Sequence, residues 1–288
     1  MTLRHHEVRG HRLAVLRPAD DERRQGPPVV LIHGILVSVR FAPFLLPEQL
    51  RQRARWTAIG LPGHAPSVAP AGFSRADVSA DWVADLLGSA IAAEAEEPAL
   101  VIGHSTGACA ALAVAARHPD IVRSVVSVSG FLDGRWTGLL GLAQRLARRG
   151  AGAPLAFRSL LRASTLAPAA WVGASASLVR KPVRFLRSAN AQEALRASYR
   201  DACAHVPATL AEMMAGLRAV HATPLANEVT VPVRLVWGDQ DPAIPAAHSR
   251  EIARRLPHVE AVPLAGVGHL PMMEAPAAYA AALGGLIR

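Results

Sequence analysis

A serine flanked by glycines is the first feature of this chain that could do chemistry. Ser105 lies in the segment 103–107, GHSTG, which matches the pattern G-x-S-x-G. An apolar run precedes it and a helix-like run rich in small residues follows, so the pattern predicts a sharp strand-to-helix turn. The glycines permit a turn too tight for side chains, and the strained backbone lifts the hydroxyl above the sheet. The motif therefore indicates a serine nucleophile.

Two later segments supply an acid and a base. The segment 236–245, VWGDQDPAIP, follows a strand pattern with two aspartates, and 266–271, GVGHLP, places His269 after a further strand pattern. A serine hydroxyl is a weak nucleophile at neutral pH, so it needs a base within hydrogen-bond distance. That histidine in turn needs a carboxylate to hold its tautomer. The order Ser, Asp, His predicts a triad in which Asp239 or Asp241 is the acid.

Short apolar runs separated by helical patterns must position these residues. The runs read as fully buried parallel strands and predict an α/β sheet; they are 28–33, 98–102, 124–129 and 232–237. Ser74 and Asp77 form a capping-box pattern ahead of the first long helix. From 131 to 227 strand patterns are absent and helical ones take over, at 139–149, 155–166 and 191–204. This stretch predicts a helical insertion.

With these motifs, the chain resembles the α/β-hydrolase superfamily over roughly residues 28–130 and 228–288. The resemblance implies an α/β-hydrolase fold, with a mostly parallel eight-stranded sheet flanked by helices and a helical cap inserted after strand six. The implied domains are a core formed by 1–130 and 228–288 and a cap, or lid, formed by 131–227.

The resemblance also selects among the acids. The family pattern G-x-x-D-x-x-x-P after strand seven matches Gly238, Asp241 and Pro245, which favours Asp241 as the catalytic acid and leaves Asp239 as a turn residue. Some members carry the acid after strand six instead, where this sequence has Asp133. We therefore expect Ser105, Asp241 and His269 to be the catalytic residues, with Asp133 as the alternative acid.

Two backbone amides complete the implied site. The segment 33–35, His-Gly-Ile, resembles the oxyanion loop of the family, so the N–H groups of Ile35 and Thr106 are expected to form the oxyanion hole. Loss of one such donor typically costs about 3 kcal/mol of transition-state stabilisation. Three further histidines match positions where packing or hydrogen bonding is the simpler role, namely His33, His64 and His104.

Apolar side chains of the cap could line an acyl or aromatic pocket or form only the core of the lid. The candidates in the insertion are Trp136, Leu139, Leu140, Phe157, Leu161, Trp171, Met213, Met214 and Leu217. Phe41 and Phe44 follow the oxyanion loop, and Met272 follows the histidine. The expected pocket residues are Phe41, Phe44, Trp136 and Met272.

Composition excludes several other classes. The 288 residues are 51% hydrophobic and 18% charged, which suits a globular core and argues against a disordered chain. Two distant cysteines fit neither a disulfide framework nor a zinc module, and no nucleotide or dinucleotide motif is present. We therefore expect no cofactor and no metal. The first residues lack the apolar stretch of a secretory signal and no run is long enough to span a bilayer, so a cytoplasmic location without a transmembrane segment is expected.

The net charge of +9 is concentrated in the insertion. Residues 131–226 hold thirteen Arg or Lys against four acidic residues, whereas the rest of the chain is balanced. A local excess does not indicate nucleic acid; it fits a solvated helical face, an anionic or carrier-bound acyl substrate, or peripheral contact with a membrane.

Three functions are consistent with these features. The first is a serine hydrolase that cleaves a carboxylic ester, thioester or lactone through an acyl-enzyme intermediate. The second uses the same triad for carbon–carbon bond hydrolysis, amide cleavage, acyl transfer or cyclisation in secondary metabolism. The third is a binding module that has kept the fold without catalysis.

Overall fold

Eight strands form a single sheet in the computed structural model, which describes residues 1–20, 24–149 and 154–286. The strands are β1 Thr2–Val8, β2 His11–Arg17, β3 Gln25–Ile32, β4 Ala54–Ile59, β5 Ala99–His104, β6 Val122–Val128, β7 Val233–Gly238 and β8 Val259–Leu264. Their order is β1-β2-β4-β3-β5-β6-β7-β8. Only the pairs β1–β2 and β2–β4 are antiparallel, so the predicted mostly parallel sheet is confirmed.

Helices cover both faces of this sheet. Those outside the predicted insertion are α1 Glu48–Arg53, α2 Ala80–Glu94, α3 Thr106–Arg117, α11 Ala247–Arg255, α12 Pro271–Glu274 and α13 Pro276–Leu283. In β3, Val30 and Ile32 pack into one hydrophobic cluster, while Val29 and Leu31 pack into the cluster on the other face. Successive side chains of a strand point to opposite faces, so a strand buried on both faces is apolar at every position. This explains the continuous apolar runs in the sequence.

The described chain between β6 and β7 contains seven helices and no strand, and we call it the α4–α10 segment. Its helices are α4 Gly138–Ala147, α5 Leu155–Ser164, α6 Pro168–Ala176, α7 Pro182–Arg187, α8 Ala189–Ala204, α9 Pro207–Leu217 and α10 Thr223–Ala226. The helices predicted at 139–149, 155–166 and 191–204 correspond to α4, α5 and α8. Residues 21–23, 150–153 and 287–288, which fall inside the predicted core and cap ranges, lie outside the described residues.

The first long helix begins later than its sequence pattern predicts. Asp77 accepts hydrogen bonds from the backbone N–H and the hydroxyl of Ser74, at 2.8 and 3.2 Å, but these bonds close a separate turn. The N-cap of α2 is Ser79, whose hydroxyl accepts a hydrogen bond from the N–H of Trp82 at 3.1 Å. The prediction that Ser74 caps this helix was wrong. Ser79 caps it instead, because Ser79 lies three residues before Trp82, whose N–H has no acceptor within the helix.

No helix within the described ranges is both long and apolar enough to cross a lipid bilayer. The longest, α8, has sixteen residues and includes several charged side chains.

Candidate active site

Parallel strands bring the three predicted catalytic side chains to one edge of the sheet. Ser105 follows β5 directly, Asp241 follows β7 and His269 follows β8. These strands run parallel to one another, so their carboxyl ends lie at the same edge, where sites in open α/β sheets form. Residues separated by more than 160 positions in the sequence thereby become neighbours.

Ser105 occupies a strained turn between β5 and α3. Its backbone has φ 53° and ψ −115°, a left-handed conformation that a residue with a side chain rarely adopts. A Cβ atom on Gly103 would lie 2.1 Å from the carbonyl oxygen of Gly107. A Cβ atom on Gly107 would lie 2.3 Å from the carbonyl oxygen of Ile32. Gly103 is therefore required for the tightness of the turn itself, and Gly107 for the close approach of the turn to β3.

Asp241 and His269 form a buried pair. The Nδ1 atom of His269 lies 2.6 Å from Oδ2 of Asp241, and each side chain is only 2% exposed. The other carboxylate oxygen of Asp241 accepts the N–H groups of Ala243 and Ile244, at 2.8 and 2.9 Å. Because an ionised carboxylate can only accept, Nδ1 of His269 must carry the hydrogen, and Nε2 of the neutral ring is the free base.

The two other candidate acids lie elsewhere. Asp239 accepts the N–H of Gly266 at 2.7 Å, which ties together the turns that follow β7 and β8. Asp133 accepts the N–H of Arg135 at 3.0 Å, and its carboxylate is 4.0 Å from Nδ1 of His221. Asp241 is therefore the aspartate that the structure brings into hydrogen-bond contact with His269.

Of the two residues whose amides are predicted to form the oxyanion hole, Thr106 directly follows Ser105 and Ile35 lines the same cavity. Thr106 is the first residue of α3, where no carbonyl of the helix can accept its N–H. Ile35 lies on the loop after β3 and lines the same cavity as Ser105. The next residue, Leu36, has a positive φ of 68°, and its carbonyl oxygen lies 3.0 Å from Nε2 of His205. His205, just after α8, thus holds this loop, and its role was not predicted from the sequence.

An apolar cavity opens beside Ser105 and His269. Helices α4, α5 and α6 supply much of its wall, including Leu140, Phe157, Leu161 and Trp171. The α4–α10 segment and the sheet edge therefore enclose one space.

Of the four side chains expected to line the pocket, Phe41 does so. The other three are buried away from this wall. The ring of Phe44 lies under the guanidinium of Arg51, at 4.3 Å, Trp136 packs edge-on against Phe131, and Met272 lies in the cluster beneath α12 and α13. These three side chains are apolar because they pack in the core. Their nearness to the site in the sequence could not show whether they line the pocket or pack in the core.

Four buried histidines around the site are neutral. Burial lowers the pKa of His33 to about 3, of His104 to about 3 and of His205 to about 4, and places the pKa of His64 well below its ordinary value. The contacts agree with this state. Nε2 of His33 accepts the N–H of Leu61 at 3.0 Å, and Nε2–H of His104 donates to the carbonyl oxygen of His269 at 3.0 Å. The prediction that His33, His64 and His104 are packing or hydrogen-bonding residues agrees with this arrangement.

These histidines predict acid sensitivity of the fold. An unfolded chain protonates each of them near pH 6.5, whereas the native state does not, so the unfolded state binds more protons as the pH falls. Each histidine should lower the free energy of unfolding by about 1.4 kcal/mol per pH unit between about pH 6.5 and its folded pKa. We expect urea unfolding curves to show this loss between about pH 6.5 and about pH 4.5.

A pair of variants isolates the effect of one histidine. The slope of the free energy of unfolding against pH should fall in His205→Gln by the contribution of about one proton, which is about 1.4 kcal/mol per pH unit. His258→Gln, at an exposed position, should leave the slope unchanged. Equal slopes in the wild type and His205→Gln would contradict the assignment of His205 as a neutral buried group.

Glu274 holds the loop that carries His269 and was not predicted from the sequence. Its buried carboxylate accepts the N–H of Gly268 at 2.9 Å, of Arg180 at 3.1 Å and of Lys181 at 3.0 Å. It therefore joins the α12 end of the loop to the chain between α6 and α7. The available sequence signal was that Glu274 is the single charged residue in the apolar stretch 270–283.

Replacing Glu274 should displace His269 indirectly, through the loop that carries it. Glu274→Gln keeps the shape but replaces one acceptor oxygen with a donor, so at least one buried N–H loses its partner. We expect the free energy of unfolding to fall by about 2 kcal/mol and kcat to fall by about tenfold, with a smaller change in KM. Glu96→Gln, at an exposed acid, is the matched control. A kcat within twofold of the wild type would show that the loop is held without this carboxylate.

Comparison with known proteins shows the family of this chain. The model of the alpha/beta hydrolase family matches residues 29–282. A 2-(acetamidomethylene)succinate hydrolase from Mesorhizobium japonicum is 28% identical over 249 residues, covering 86% of this chain and 83% of the relative. A pimeloyl-[acyl-carrier protein] methyl ester esterase from Neisseria meningitidis is 30% identical over 275 residues, covering 90% and 94% of the two chains.

A solved structure supports the fold. The enol-lactonase from Burkholderia xenovorans superposes with a TM-score of 0.68 at 20% identity, and the match covers 97% of this chain and 98% of that one. The match to the family model extends from β3 to α13 and so includes the sheet edge where Ser105, Asp241 and His269 lie. The chain belongs to the alpha/beta hydrolase family.

Proposed function

We propose that this enzyme hydrolyses a carboxylic ester, thioester or lactone, with Ser105 as nucleophile, His269 as base and Asp241 as the group that orients His269. The observation that carries the proposal is the buried Asp241–His269 pair, 2.6 Å apart, whose histidine lines the same cavity as the strained Ser105. This arrangement supplies a nucleophile, a base and an orienting carboxylate.

In the first half-reaction the Ser105 oxygen attacks the carbonyl carbon of the substrate. Its proton passes to Nε2 of His269, and the carbonyl electron pair moves onto oxygen, where the amides of Ile35 and Thr106 stabilise the negative charge. Collapse of this intermediate breaks the bond to the leaving group, which takes the proton from His269 and departs as an alcohol or thiol, or stays attached when the substrate is a lactone. The acyl group remains on Ser105.

Water completes the reaction. His269 removes a proton from a water molecule as its oxygen attacks the acyl-enzyme carbonyl, and the same two amides stabilise the second tetrahedral intermediate. Collapse returns the proton from His269 to the Ser105 oxygen and releases the carboxylic acid. Asp241 stays ionised throughout and stabilises the imidazolium of His269.

We further propose that the chain consists of a catalytic domain and a cap domain. Residues 1–130 and 228–288 form the catalytic core, and residues 131–227 form a cap over the cavity. The contribution of α4, α5 and α6 to the cavity wall supports this division. Cys109 and Cys203 are free thiols, which fits the proposed cytoplasmic location.

Labelling with a fluorophosphonate tests the proposed nucleophile. We expect the reagent to modify the folded wild-type enzyme at Ser105, identified by mass spectrometry of the modified peptide. A series of p-nitrophenyl esters of increasing acyl length should be turned over with an optimum that reports the depth of the cavity. An enzyme that is folded but neither labels nor turns over these esters would favour a binding function for this fold.

The small acyl substrate is further proposed to be anionic or bound to an acidic carrier, or to be presented at a membrane surface. Exposed arginines on the outer faces of the α4–α10 segment support this part of the proposal; they are Arg145, Arg158, Arg162, Arg184 and Arg187. One relative is named for a carrier-bound methyl ester.

Salt dependence tests the role of these arginines. For an acyl thioester of coenzyme A, kcat/KM should fall roughly fivefold between about 50 and about 500 mM salt, because salt screens exposed charges. A neutral p-nitrophenyl ester should show little change. Arg158→Gln/Arg162→Gln should weaken the salt dependence, and Arg123→Gln/Arg250→Gln, at exposed sites outside the segment, should not. The same salt dependence for both substrates would rule out electrostatic steering.

A further inference from the structure

The wall of the cavity beside Ser105 contains no charged side chain among the described residues. Its lining is made largely of aliphatic and aromatic groups from the loop after β3 and from α4, α5, α6 and α8, such as Leu36, Val37, Leu140, Leu160 and Leu195. Within the part of the chain that the structure describes, no arginine, lysine, aspartate or glutamate lines it. A substrate group that enters this space meets mainly apolar surface.

The polar side chains of the wall are already engaged. The hydroxyl of Ser164 donates to the carbonyl oxygen of Leu161 at 2.8 Å, and that of Ser175 donates to the carbonyl oxygen of Trp171 at 2.9 Å. Ser177 donates to its own helix in the same way, to Ala174 at 2.7 Å. These hydroxyl hydrogens are turned back onto the helices and are not presented to a bound anion.

The aromatic polar groups add no positive charge. Nε2–H of His104 donates to the carbonyl oxygen of His269, and burial keeps the pKa of His104 at about 3, so its ring is neutral at physiological pH. The indole nitrogen of Trp171 is buried in the wall without a partner or exposed surface. The Ser105 hydroxyl and the amide of Ile35, which also belong to the wall, are donors that the reaction itself uses.

The positive charge of the α4–α10 segment lies outside this space. On α5, Phe157 and Leu161 face the cavity, while Arg158 and Arg162 are exposed to solvent. The spacing of apolar residues along α5 thus gives this helix an apolar face toward the cavity and a basic face toward solvent. The basic excess of the segment therefore cannot pair with a charge on the part of the substrate inside the cavity.

We infer that the cavity accepts an uncharged, apolar acyl group and excludes an acyl group that carries a carboxylate. The inference rests on the proposed function and names the class of substrate for it. An ionised carboxylate loses its hydration on entering an apolar site and regains nothing there without a cation or free donors. Any anionic part of the substrate must stay outside, next to the exposed arginines. The inference therefore predicts that this enzyme does not hydrolyse a succinate derivative, the class of compound for which one relative is named.

Two esters of matched length test the inference in the wild-type enzyme. They are p-nitrophenyl pentanoate and the mono-p-nitrophenyl ester of glutaric acid, which differ by the terminal carboxylate. We expect kcat/KM to be at least about 100-fold higher for the pentanoate. Values within about threefold of each other would overturn the inference.

A charge placed in the wall should change this preference. Leu160 lines the cavity and is half-buried, so an arginine there can keep its stem on apolar surface. Leu160→Arg should raise kcat/KM for the glutarate ester relative to the pentanoate by about tenfold, and Leu160→Met should not. Thermal unfolding of both variants checks that they fold. An unchanged ratio in folded Leu160→Arg would also count against the inference.

Binding separates failure of this inference from failure of the proposed function. Methyl pentanoate and monomethyl glutarate can be titrated into Ser105→Ala, which cannot form an acyl-enzyme, with intrinsic tryptophan fluorescence as readout. Preferential binding of methyl pentanoate would support the inference even if the wild type hydrolyses neither ester, in which case only the proposed function fails. Equal affinity for both esters, or tighter binding of monomethyl glutarate, would overturn the inference.

Discussion

Replacing Ser105 with alanine is expected to lower kcat for ester hydrolysis by at least about 10⁴-fold, because the variant has no group that can form the acyl-enzyme. What remains is catalysis by the two oxyanion amides and by binding of the substrate. Initial rates with a p-nitrophenyl ester at saturating concentration measure the effect. Labelling by a fluorophosphonate should disappear together with turnover.

The fold should survive this substitution, which makes the kinetic result specific. Alanine removes only the hydroxyl and relieves no close contact, so the thermal unfolding midpoint should stay close to that of the wild type. Ser127→Ala is a matched control, since Ser127 is also a buried serine, on the neighbouring strand β6. Turnover by Ser105→Ala within about tenfold of the wild type would exclude Ser105 as the nucleophile.

Asp241→Asn is expected to lower kcat by about 10⁴-fold while leaving the backbone geometry intact. The asparagine carbonyl can still accept the N–H groups of Ala243 and Ile244, as Oδ1 of Asp241 does. Its amide then faces Nδ1 of His269 with a donor, which favours the tautomer with hydrogen on Nε2. That tautomer cannot accept the proton of Ser105.

The other two aspartates serve as controls for this substitution. Asp133→Asn should leave kcat within about twofold of the wild type, because Asp133 contacts Arg135 and His221 and not His269. Asp239→Asn should affect stability more than rate, since Asp239 accepts the N–H of Gly266. A loss of activity in Asp133→Asn comparable with that in Asp241→Asn would assign the acid to the end of strand six instead.

The sheet and its order of elements followed from local sequence patterns. Runs such as 98–102 are apolar at every position because β5 is buried on both faces, and that burial leaves a pattern readable without coordinates. The glycines around Ser105 were equally readable, because a Cβ at Gly103 or Gly107 would collide with backbone. The constraint at Gly103 acts within the turn, whereas that at Gly107 comes from Ile32 on β3, and both show in the sequence as a glycine of the pattern G-x-S-x-G.

The composition of the cavity wall was accessible only from the tertiary structure. Phe44, Trp136 and Met272 are as apolar as Phe41, yet only Phe41 of these four lines the cavity. Core packing and pocket lining require the same residue types, so apolarity does not separate them. The orientation of each helix of the α4–α10 segment decides which side chains face the substrate.

The sequence by itself determined the fold family, the nucleophile turn and the order Ser, Asp, His, because each depends on local periodicity, glycine sterics or motif spacing. The family pattern had already favoured Asp241 as the acid, and the structure brings this residue to His269. Tertiary structure alone decided that Glu274 holds the loop of His269 and that His205 holds the loop of Ile35. Each of these contacts joins residues from separate elements. Hydrogen bonds of this kind depend on how strands and helices are placed relative to one another, which no local pattern encodes.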